Sequence, residues 1–373
     1  MKIYLVGGAV RDKIMGLPSQ DSDYVVVGSS PEEMVALKFK PIGKSFPVFL
    51  HPETNAEYAL ARTEKKTAKG YHGFEFYTSP SITLEQDLSR RDLTINAIAM
   101  DGAGVIYDPY NGVDDIKSKI LRHVSNAFEE DPLRVLRVAR FKARFKDFSI
   151  DLNTKALIQK IVLNNEMESL SSERVLVEVL KGFKEKDPLG MLEVLYESGA
   201  LQRIMPIDFL ENKTELETLY SLSQYKELSG ENSLVVTMMT THFSEGKIDS
   251  SFGQSMKKMK ISSHTRKIFQ LISMHGNKLI SLLSLNKKQQ LDCFYLFDFF
   301  RRPSLILSSL NLLNCTLLAH QKKSSDYSQS VKFLNDFIDL LDREKVNIDD
   351  TLGPEQIRAL VYKKRLEMLE SIH

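Results

Sequence analysis

The sequence contains little cysteine, little net charge and no long hydrophobic run. Its two cysteines, Cys293 and Cys315, lie in apolar surroundings without C-x-x-C spacing, which predicts buried free thiols in a reducing compartment. No stretch approaches the roughly 18 apolar residues of a membrane span. The amino-terminal segment MKIYLVGGAVRDK has too short an apolar run for a signal peptide. These absences predict a soluble, cytoplasmic protein.

The charges are nearly balanced, with 50 Lys and Arg against 49 Asp and Glu and a formal net charge of +1. This balance excludes a general cationic coat, although it leaves room for a local basic track that binds nucleic acid. A chain of 373 residues with 42% hydrophobic composition is long enough for two or more packed units. We find no repeat of fixed period.

The sequence pattern changes once along the chain, near residue 130. Up to about residue 130, short strands and helices alternate, with strands predicted at 3–6, 24–27, 46–51, 57–62 and 74–77, a strand running into a turn at 105–112, and helices at 9–16 and 30–38. From Asp131 onward Gly and Pro are sparse, and Leu, Lys and Glu recur at helical spacing to residue 373. The pattern predicts an α+β head with a mixed or antiparallel sheet, followed by an all-helical remainder.

Two carboxylates, Asp21 and Asp23, stand where the turn in LPSQDSDYVVV leads into an apolar strand. Residues i and i+2 of a strand point to one face, so the two charges converge and require something positive between them. A divalent metal ion meets that requirement, whereas an exposed pair at a loop end is the alternative. Glu57, in the period-2 run AEYALAR, is the best candidate for a third carboxylate, or else an exposed strand glutamate.

The segment VGGAVR, residues 6–11, reads as a strand, a Gly-Gly turn and a helix. Main-chain N–H groups freed of side-chain bulk at Gly7 and Gly8, together with Arg11, would bind an anion. A tight turn that binds nothing is the alternative, and the dinucleotide fingerprint G-x-G-x-x-G is absent. A phosphate site beside a carboxylate pair that binds Mg²⁺ is what nucleotidyl transfer requires.

Two further segments are rich in arginine. RRDLTINA, residues 90–97, offers phosphate contacts and, through Asp92 and Asn96, partners for ribose hydroxyls, although a capped amphipathic helix would look similar. In EEDPLRVLRVARFKARFK, residues 129–146, Asp131 and Pro132 predict a helix start. The arginines at 134, 137, 140 and 144 fall near one stripe, and no acidic residue pairs with them locally. A solvated basic face is the usual meaning of such a row.

These segments together, in this order and spacing and with DPYNGVDDI at 108–116, closely resemble the class II CCA-adding tRNA nucleotidyltransferases. That group belongs to the bacterial poly(A) polymerase family of the polymerase-β-like superfamily. The likeness is nearly continuous over residues 1 to about 205 and strongest to the bacterial CCA-adding subtype. It implies a head at 1–140, a helical neck at 141–210, a helical body at 211–320 and a tRNA-binding helical tail at 321–373.

The resemblance also implies roles for individual residues. Asp21 and Asp23 match the catalytic ligands of Mg²⁺, and Asp131 with Arg134 matches a pair that reads the incoming base. The remaining nucleotide-binding positions for ATP and CTP are Gly8, Arg11, Arg91, Arg137 and Arg140. The implied activity is addition and repair of the 3′-terminal CCA of tRNA from CTP and ATP, with release of pyrophosphate.

A carboxylate that accepts from an amine and a guanidinium that donates to a ring nitrogen can pair with both cytosine and adenine. Cytosine and adenine each present an amine donor beside a ring-nitrogen acceptor, whereas uracil and guanine present a carbonyl beside an N–H. Each mispaired polar group costs about 1–3 kcal/mol, so two groups give discrimination of roughly a hundredfold or more. The competing interpretation is that Asp131 only caps a helix.

The chain departs from many relatives where a metal-binding HD domain would lie. Glu217 stands where a histidine ligand is expected, and Phe243 follows His242 where the aspartate is expected. We therefore predict neither phosphohydrolase activity nor a second metal site in this region. In the tail, Lys363, Lys364 and Arg365 lie on a terminal helix that family geometry would place near the tRNA elbow.

Narrower activities share the same head motifs. CC-adding and A-adding enzymes differ in a loop for which ARTEKKTAKGYHG, residues 61–73, is the candidate; its long, basic and intact sequence favours full CCA addition. Poly(A) polymerase is a further relative. A D-x-D glycosyltransferase and an inactive RNA-binding protein are more remote alternatives. The sequence leaves the oligomeric state open, with a monomer favoured.

Overall fold

The computed structural model describes residues 1–19, 22–42, 47–66, 74–205, 207–228, 230–244, 247–248, 253–322, 326–344 and 353–372. The chain divides into two compact units, Met1–Ile204 and Met205–His373. The four-part division predicted at 140, 210 and 320 is finer than these two units and stays a prediction.

A seven-stranded mixed sheet forms the centre of the first unit, in the order β3-β4-β5-β2-β1-β8-β9. β2 runs antiparallel to β1 and parallel to β5. β6 and β7 form a separate hairpin, and β10 pairs with β11 in parallel. The strands are β1 Lys2–Val6, β2 Asp23–Val27, β3 Lys40–Ile42, β4 Val48–Leu50, β5 Glu57–Leu60, β6 Arg62–Lys66, β7 Phe74–Thr78, β8 Ala99–Met100, β9 Ile106–Tyr107, β10 Ile120–Leu121 and β11 Ser149–Ile150.

Alternating side chains of β2 enter two different hydrophobic clusters, one on each face of the sheet. Val25 packs with Val6 and Leu88 on one face, and Val26 packs with Met34 and Leu60 on the other. The central strands are therefore apolar on both sides, and their ends carry the charged residues. β4 and β5, which lie within the strands predicted at 46–51 and 57–62, pair antiparallel around the turn PETN.

Helices cover the sheet and continue after it. Ser30 begins α2 with a capping box, since its hydroxyl accepts from the Glu33 N–H and the Glu33 carboxylate accepts from the Ser30 N–H. The helices of this unit are α1 Gly8–Ile14, α2 Pro31–Ala36, α3 Leu84–Ser89, α4 Gly112–Ser118, α5 Leu133–Arg144, α6 Leu152–Leu163, α7 Ser172–Phe183, α8 Pro188–Glu197 and α9 Leu201–Ile204. Short 3-10 helices lie at Thr94–Asn96, Asn126–Glu130 and Glu166–Ser169.

The second unit is helical apart from one small hairpin. Its elements are α10 Lys213–Ser221, α11 Ser223–Glu227, α12 Glu231–Thr241, β12 Phe243–Ser244, β13 Lys247–Ile248, α13 Gly253–Lys258, α14 Ser263–Ile280, α15 Lys287–Leu296, α16 Pro303–Ala319, α17 Tyr327–Arg343 and α18 Pro354–Glu370, with a 3-10 turn at Leu282–Ser284. Cys293 and Cys315 are buried free thiols, as predicted, and burial raises the pKa of each to about 12. None of the helices in the described ranges combines the length and apolarity that crossing a membrane needs.

The predicted α+β head and helical remainder are confirmed. The expectation that residues 131–373 are wholly helical is wrong at β11 and at the hairpin β12–β13. Each of these strands has two residues, too few to show a period of two, and β11 is a strand only because it pairs with β10.

Candidate active site

The turn between β1 and α1 packs directly against an arginine side chain. Gly7 has a φ of +70°, and a Cβ atom at this position would lie 2.9 Å from Nη1 of Arg91. Glycine is therefore needed here both for the backbone conformation and for the close approach. Gly8 begins α1, and a Cβ there would lie 3.4 Å from Nη2 of Arg11. The structure thus brings Gly8, Arg11 and Arg91, three of the predicted phosphate contacts, to one turn.

Asp87 holds the two arginines of the RRD segment, and the sequence analysis missed it. Its carboxylate is fully buried, with 2.6 Å between Oδ1 and Nη2 of Arg90 and 3.4 Å between Oδ2 and Nη2 of Arg91. Burial raises the pKa of Asp87, but the two arginines outweigh this effect and the pKa is lowered. The spacing of three and four residues between Asp87 on α3 and the two arginines that follow this helix was a signal that could have identified this partner.

Arg11 is buried at the junction of three segments. Its Nε donates to Oδ1 of Asp12 at 2.9 Å, and its Nη1 donates to the side-chain oxygen of Asn96. The guanidinium lies 5.4 Å from the ring centre of Phe141 and 5.2 Å from that of Phe145. Burial lowers the pKa of Arg11, although Asp12 opposes this effect. Arg11 therefore joins α1, the Asn96 turn and α5 while it lines the cavity described below.

The Asp92 carboxylate also connects several segments of the site. Its Oδ1 accepts from the Leu93 N–H at 2.9 Å and from the Asn96 amide at 3.1 Å, and its Oδ2 lies 2.7 Å from Nη2 of Arg137. Burial raises the pKa of this carboxyl, but Arg137, Asn96 and Arg134 outweigh burial and lower it to about 2. Thr94–Asn96 forms a 3-10 turn, and this turn brings the Asn96 amide to the Asp92 carboxylate.

The arginine row of α5 is not a solvated basic face, because each of its members contacts acceptors from distant segments. The ion-pair distances are 2.7–2.9 Å. The acceptors are Asp92 for Arg137, Glu178 for Arg140, Asp12 for Arg144, and the carbonyls of Ala127 and Arg90 for Arg134. No local spacing in the sequence could reveal these partners, which are 38 to 132 residues away for the three ion pairs.

Asp131 lies immediately before α5 and is held by two donors. Its Oδ1 accepts from the Leu133 N–H at 3.1 Å, and its Oδ2 lies 2.8 Å from Nη2 of Arg174. The helix begins at Leu133, with Pro132 in the capping position, one residue later than predicted. Asp131 therefore does bond to the helix start, and it also pairs with Arg174, a residue that the sequence analysis did not single out.

The strand ends carry a carboxylate pair. Asp23 begins β2, Glu57 begins β5, and the two residues are directly paired in the parallel register. Both are exposed. Asp21 lies outside the described residues. The prediction that Glu57 stands beside the DSD strand is confirmed as a placement, whereas its role as a ligand stays a prediction.

These groups line one cavity of about 1670 Å³ within the first unit. Its described lining includes fourteen Lys and Arg residues against seven Asp and Glu residues. A chain with a formal charge of +1 thus concentrates positive charge in one place. The predicted site residues that line this cavity are Gly8, Arg11, Asp23, Glu57, Arg91, Asp131, Arg134, Arg137 and Arg140.

The region of the expected HD motif contains no described metal cluster. Glu217 is exposed on α10, Phe243 is buried in β12, and Nδ1 of His242 lies 2.9 Å from the carbonyl oxygen of Met238. Across the described residues of both units, no three His, Cys, Asp or Glu side chains come together in a way that could hold a metal ion. The predicted lack of phosphohydrolase activity stays a prediction.

Two segments of the chain match known family models. Residues 3–122 match the Poly A polymerase head domain, and residues 147–207 match the probable RNA and SrmB-binding site of polymerase A. The chain is 54% identical over 230 residues to a Multifunctional CCA protein of Paraburkholderia phytofirmans, which covers 60% of this chain and 54% of that protein. The chain thus spans about half the length of the curated relatives that it matches.

Solved structures share the fold at lower identity. A Bacillus stearothermophilus CCA-adding enzyme in complex with CTP has a TM-score of 0.70 at 21% identity, covering 98% of this chain and 88% of that one. A Thermotoga maritima CCA-adding enzyme complexed with tRNA has a TM-score of 0.67 at 22% identity, covering 100% and 88%.

The sheet, the Gly-Gly turn and the strand-end carboxylates lie within the residues that match the Poly A polymerase head domain. Over residues 3–122 and 147–207 the chain is thus similar to poly(A) polymerases, and over 230 residues it is similar to Multifunctional CCA proteins.

Proposed function

We propose that this protein builds and repairs the 3′-terminal CCA of tRNA from CTP and ATP and releases pyrophosphate. One observation carries the proposal: a single cavity is lined by the Asp23–Glu57 pair, by the Gly-Gly turn with Arg91, and by Asp131 with Arg134. These three groups are what a nucleotidyl transfer that selects its base requires, namely metal ligands, phosphate contacts and base-edge contacts.

The strand-end carboxylates fit a hard divalent cation, for which we propose Mg²⁺. Carboxylate oxygens are the ligands that this ion prefers, and Asp23 and Glu57 present two of them side by side. Asp21 and Asp23 would hold the ion, with Glu57 as the neighbouring carboxylate. When bound, Mg²⁺ supplies positive charge to the triphosphate and makes the terminal RNA hydroxyl more nucleophilic.

The Gly-Gly turn and the two arginines beside it bind the phosphates of the nucleotide. Arg91 packs on Gly7 and is fixed by the buried Asp87, so its charge is held in position before a nucleotide arrives. Arg11 and Gly8 complete this wall of the cavity. A preorganised arginine loses less conformational freedom when it binds an anion.

Base selection falls to Asp131 and Arg134, with Arg137 and Arg140 in the same pocket. Both terminal nitrogens of Arg134 donate to main-chain carbonyls, which hold its guanidinium at the cavity wall. Asp131 has a further lone pair on each oxygen beyond the bonds described above. A base with an amine beside a ring-nitrogen acceptor matches a carboxylate and a guanidinium placed in this way.

We propose tRNA as the acceptor because the curated relatives are named Multifunctional CCA proteins and a neighbour in fold was solved with tRNA. The cationic lining of the cavity suits an RNA end. Binding of the tRNA elbow by the tail, the cytoplasmic location and the monomeric state stay predictions from the sequence.

Incubation with Mg²⁺ and a tRNA that ends at the discriminator base tests the proposal, with each labelled nucleotide added singly and then together. We expect two C residues from CTP alone, and two C residues followed by one A from CTP with ATP. Long A tracts would indicate a poly(A) polymerase, and addition of only C or only A would indicate a narrower enzyme. The absence of any RNA product would contradict the proposal.

We expect Asp23→Asn to lower the incorporation rate by roughly 10²–10³-fold, because it removes a charge from the proposed ligand set. Glu53→Gln is the matched control, since Glu53 is an exposed acidic residue in the turn between β4 and β5. Circular dichroism checks that both variants are folded. Parental activity in folded Asp23→Asn would contradict the assignment.

A further inference from the structure

The starts of β2 and β5 carry one pair of residues on each face of the sheet. Asp23 is paired with Glu57, and Tyr24 is paired with Tyr58, in the parallel register of these strands. Because successive side chains of a strand point to opposite faces, the carboxylates lie on the cavity face and the two rings on the other face. The tyrosine rings stack, with 4.5 Å between their centres and 14° between their planes. Each carboxylate is therefore followed directly by one ring of the stack.

Two further rings hold Tyr58 in place. The Phe39 ring lies 5.0 Å from the Tyr58 ring at an angle of 65°, and the His51 ring lies 5.6 Å from it. Phe39 also meets His51 edge to face at 5.2 Å. Nδ1 of His51 accepts from the main-chain N–H of Glu53 at 3.3 Å, which fixes the imidazole. Tyr24 therefore stacks on a ring that its neighbours already hold.

The carboxylate pair needs support because its members repel each other. Two like charges on neighbouring strands are unfavourable when they face each other without a cation between them. Asp23 and Glu57 are the first residues of their strands, where the fewest hydrogen bonds resist separation. The tyrosine stack lies one residue further along the same two strands and stabilises their close approach.

The stack and the carboxylate pair depend on the same strand register. A shift of β5 by one residue against β2 would move every side chain of β5 to the other face of the sheet. Such a shift would separate Tyr24 from Tyr58 and, at the same time, Asp23 from Glu57. Stacking of the two rings thus favours the one register in which the carboxylates face each other.

Packing of the core does not account for the stack. The hydrophobic cluster on this face has Phe39 as a buried member and Tyr58 packed against it, and Tyr24 is not among its described members. Both tyrosines are half-buried. The contact between them lies at the margin of the core, so its larger effect is on the strand starts.

We infer that Tyr58 is a positioning residue for the divalent cation: by stacking on Tyr24 it holds the starts of β2 and β5 so that Asp23 and Glu57 converge. This inference rests on the proposed function, in which these carboxylates form the Mg²⁺ site. It assigns a role to the face of the sheet opposite the cavity, and Tyr58 itself is not part of the described cavity lining.

The test compares Tyr58→Leu with the parental protein in two measurements. Electron paramagnetic resonance measures Mn²⁺ binding without nucleotide or RNA, and CMP addition to tRNA measures the half-saturating Mg²⁺ concentration. We expect the Mn²⁺ affinity to fall about two- to tenfold, the factor to which the loss of an aromatic pair corresponds. The half-saturating Mg²⁺ concentration should rise by a similar factor, with a nearly parental rate at saturating Mg²⁺.

Two variants serve as controls. Tyr58→Phe keeps the ring and should keep the parental Mn²⁺ affinity. Tyr107→Leu removes a partly exposed tyrosine from β9 of the same sheet, together with its edge-to-face contact with Tyr4 at 5.1 Å. β1 and β8 separate β9 from β2, so this variant should also bind Mn²⁺ as the parental protein does.

A half-saturating concentration does not depend on the fraction of protein that is folded. If Tyr58→Leu is poorly folded, Tyr58→Ile is measured in its place, because isoleucine favours strands. Parental Mn²⁺ affinity in a folded variant that lacks the ring overturns the inference, as does an equal loss in Tyr58→Phe or Tyr107→Leu. A parental protein that binds no Mn²⁺ overturns the cation site and the inference with it. A parental protein that binds Mn²⁺ but adds neither CMP nor AMP overturns the proposed function, and the comparison of Mn²⁺ affinities still decides the role of Tyr58.

Discussion

The Asp92 carboxylate joins residues that are far apart in the chain. Arg137 on α5 and Asn96 in the 3-10 turn both bond to it, and Asn96 in turn accepts from Arg11 on α1. Its pKa is lowered to about 2, so the ionised form is strongly preferred in the folded protein. The electrostatic centre of the site is thus a residue that we do not expect to contact the reacting atoms.

This lowered pKa predicts a specific dependence of stability on pH. The folded pKa lies below the ordinary value of 3.8, so the unfolded chain binds the proton first as the pH falls. The stabilisation is full above about pH 4 and is lost as the pH falls through about 2. We expect Asp92→Asn to reduce the free energy of unfolding by about 2 kcal/mol at pH 7, and by about half as much at pH 3.

Urea unfolding of both proteins at the two pH values measures this difference. Asp147→Asn serves as the comparison, since Asp147 is exposed and lies 3.7 Å from an exposed Lys119; its effect should stay within about 0.5 kcal/mol. An Asp92→Asn difference that does not change with pH would show that packing, and not charge, explains the effect.

Among individual residues, those on regular elements were the most predictable. Asp23 and Glu57 lie at strand starts, and the period of two placed both on the face that lines the cavity. Arg174 was not predictable, because its partner is 43 residues away and no spacing rule connects them. The sequence pattern thus located the carboxylates of the site but not the side chain that pairs with Asp131.

Among the elements, α5 is a case in which the spacing of charged residues predicts the helix but not whether the charged side chains are exposed. The spacing predicted a helix with its arginines on one stripe, and α5 spans Leu133–Arg144. A solvated face is the usual meaning of such a row, but here the acceptors come from α1, α7 and the Asp92 segment. Tertiary partners decide whether such a row is exposed, and periodicity contains no information about them.

Helix α4 packs closely on the 3-10 turn that carries Asn96. A Cβ at Gly112 would lie 2.2 Å from the carbonyl oxygen of Thr94, a main-chain atom that cannot rotate away. We therefore expect Gly112→Ala to push α4 from this turn and to destabilise the protein by about 1–3 kcal/mol. The midpoint of thermal unfolding measures the change.

Gly102→Ala is the matched variant for this prediction, because a Cβ at Gly102 would meet no atom within 4 Å. It should leave the midpoint nearly unchanged. Equal effects of the two substitutions would mean that glycine flexibility, and not the close approach to Thr94, explains the result.

On the scale of the whole molecule, charge is distributed very unevenly. The formal charge is +1, yet the described lining of one cavity holds twice as many basic as acidic residues. Many of its arginines pair with carboxylates, whereas Lys181, Lys184 and Lys186 are exposed and have no ion-pair partner among the described residues. These three lysines lie at the end of α7 and just after it, within residues 147–207 that match the RNA-binding model. Charges of this kind are available to RNA phosphates.

Their availability predicts a salt dependence of tRNA binding. Each lysine that neutralises a phosphate releases counterions, so the logarithm of the affinity falls linearly with the logarithm of the salt concentration. We expect Lys181→Gln to reduce the magnitude of this slope by about 0.7–1, measured by titration of labelled tRNA between 50 and 200 mM salt. Lys155→Gln, on α6 outside the cavity lining, removes an exposed lysine paired with Glu197 and should leave the slope unchanged. If Lys181→Gln keeps the parental slope, as Lys155→Gln should, then Lys181 does not neutralise an RNA phosphate.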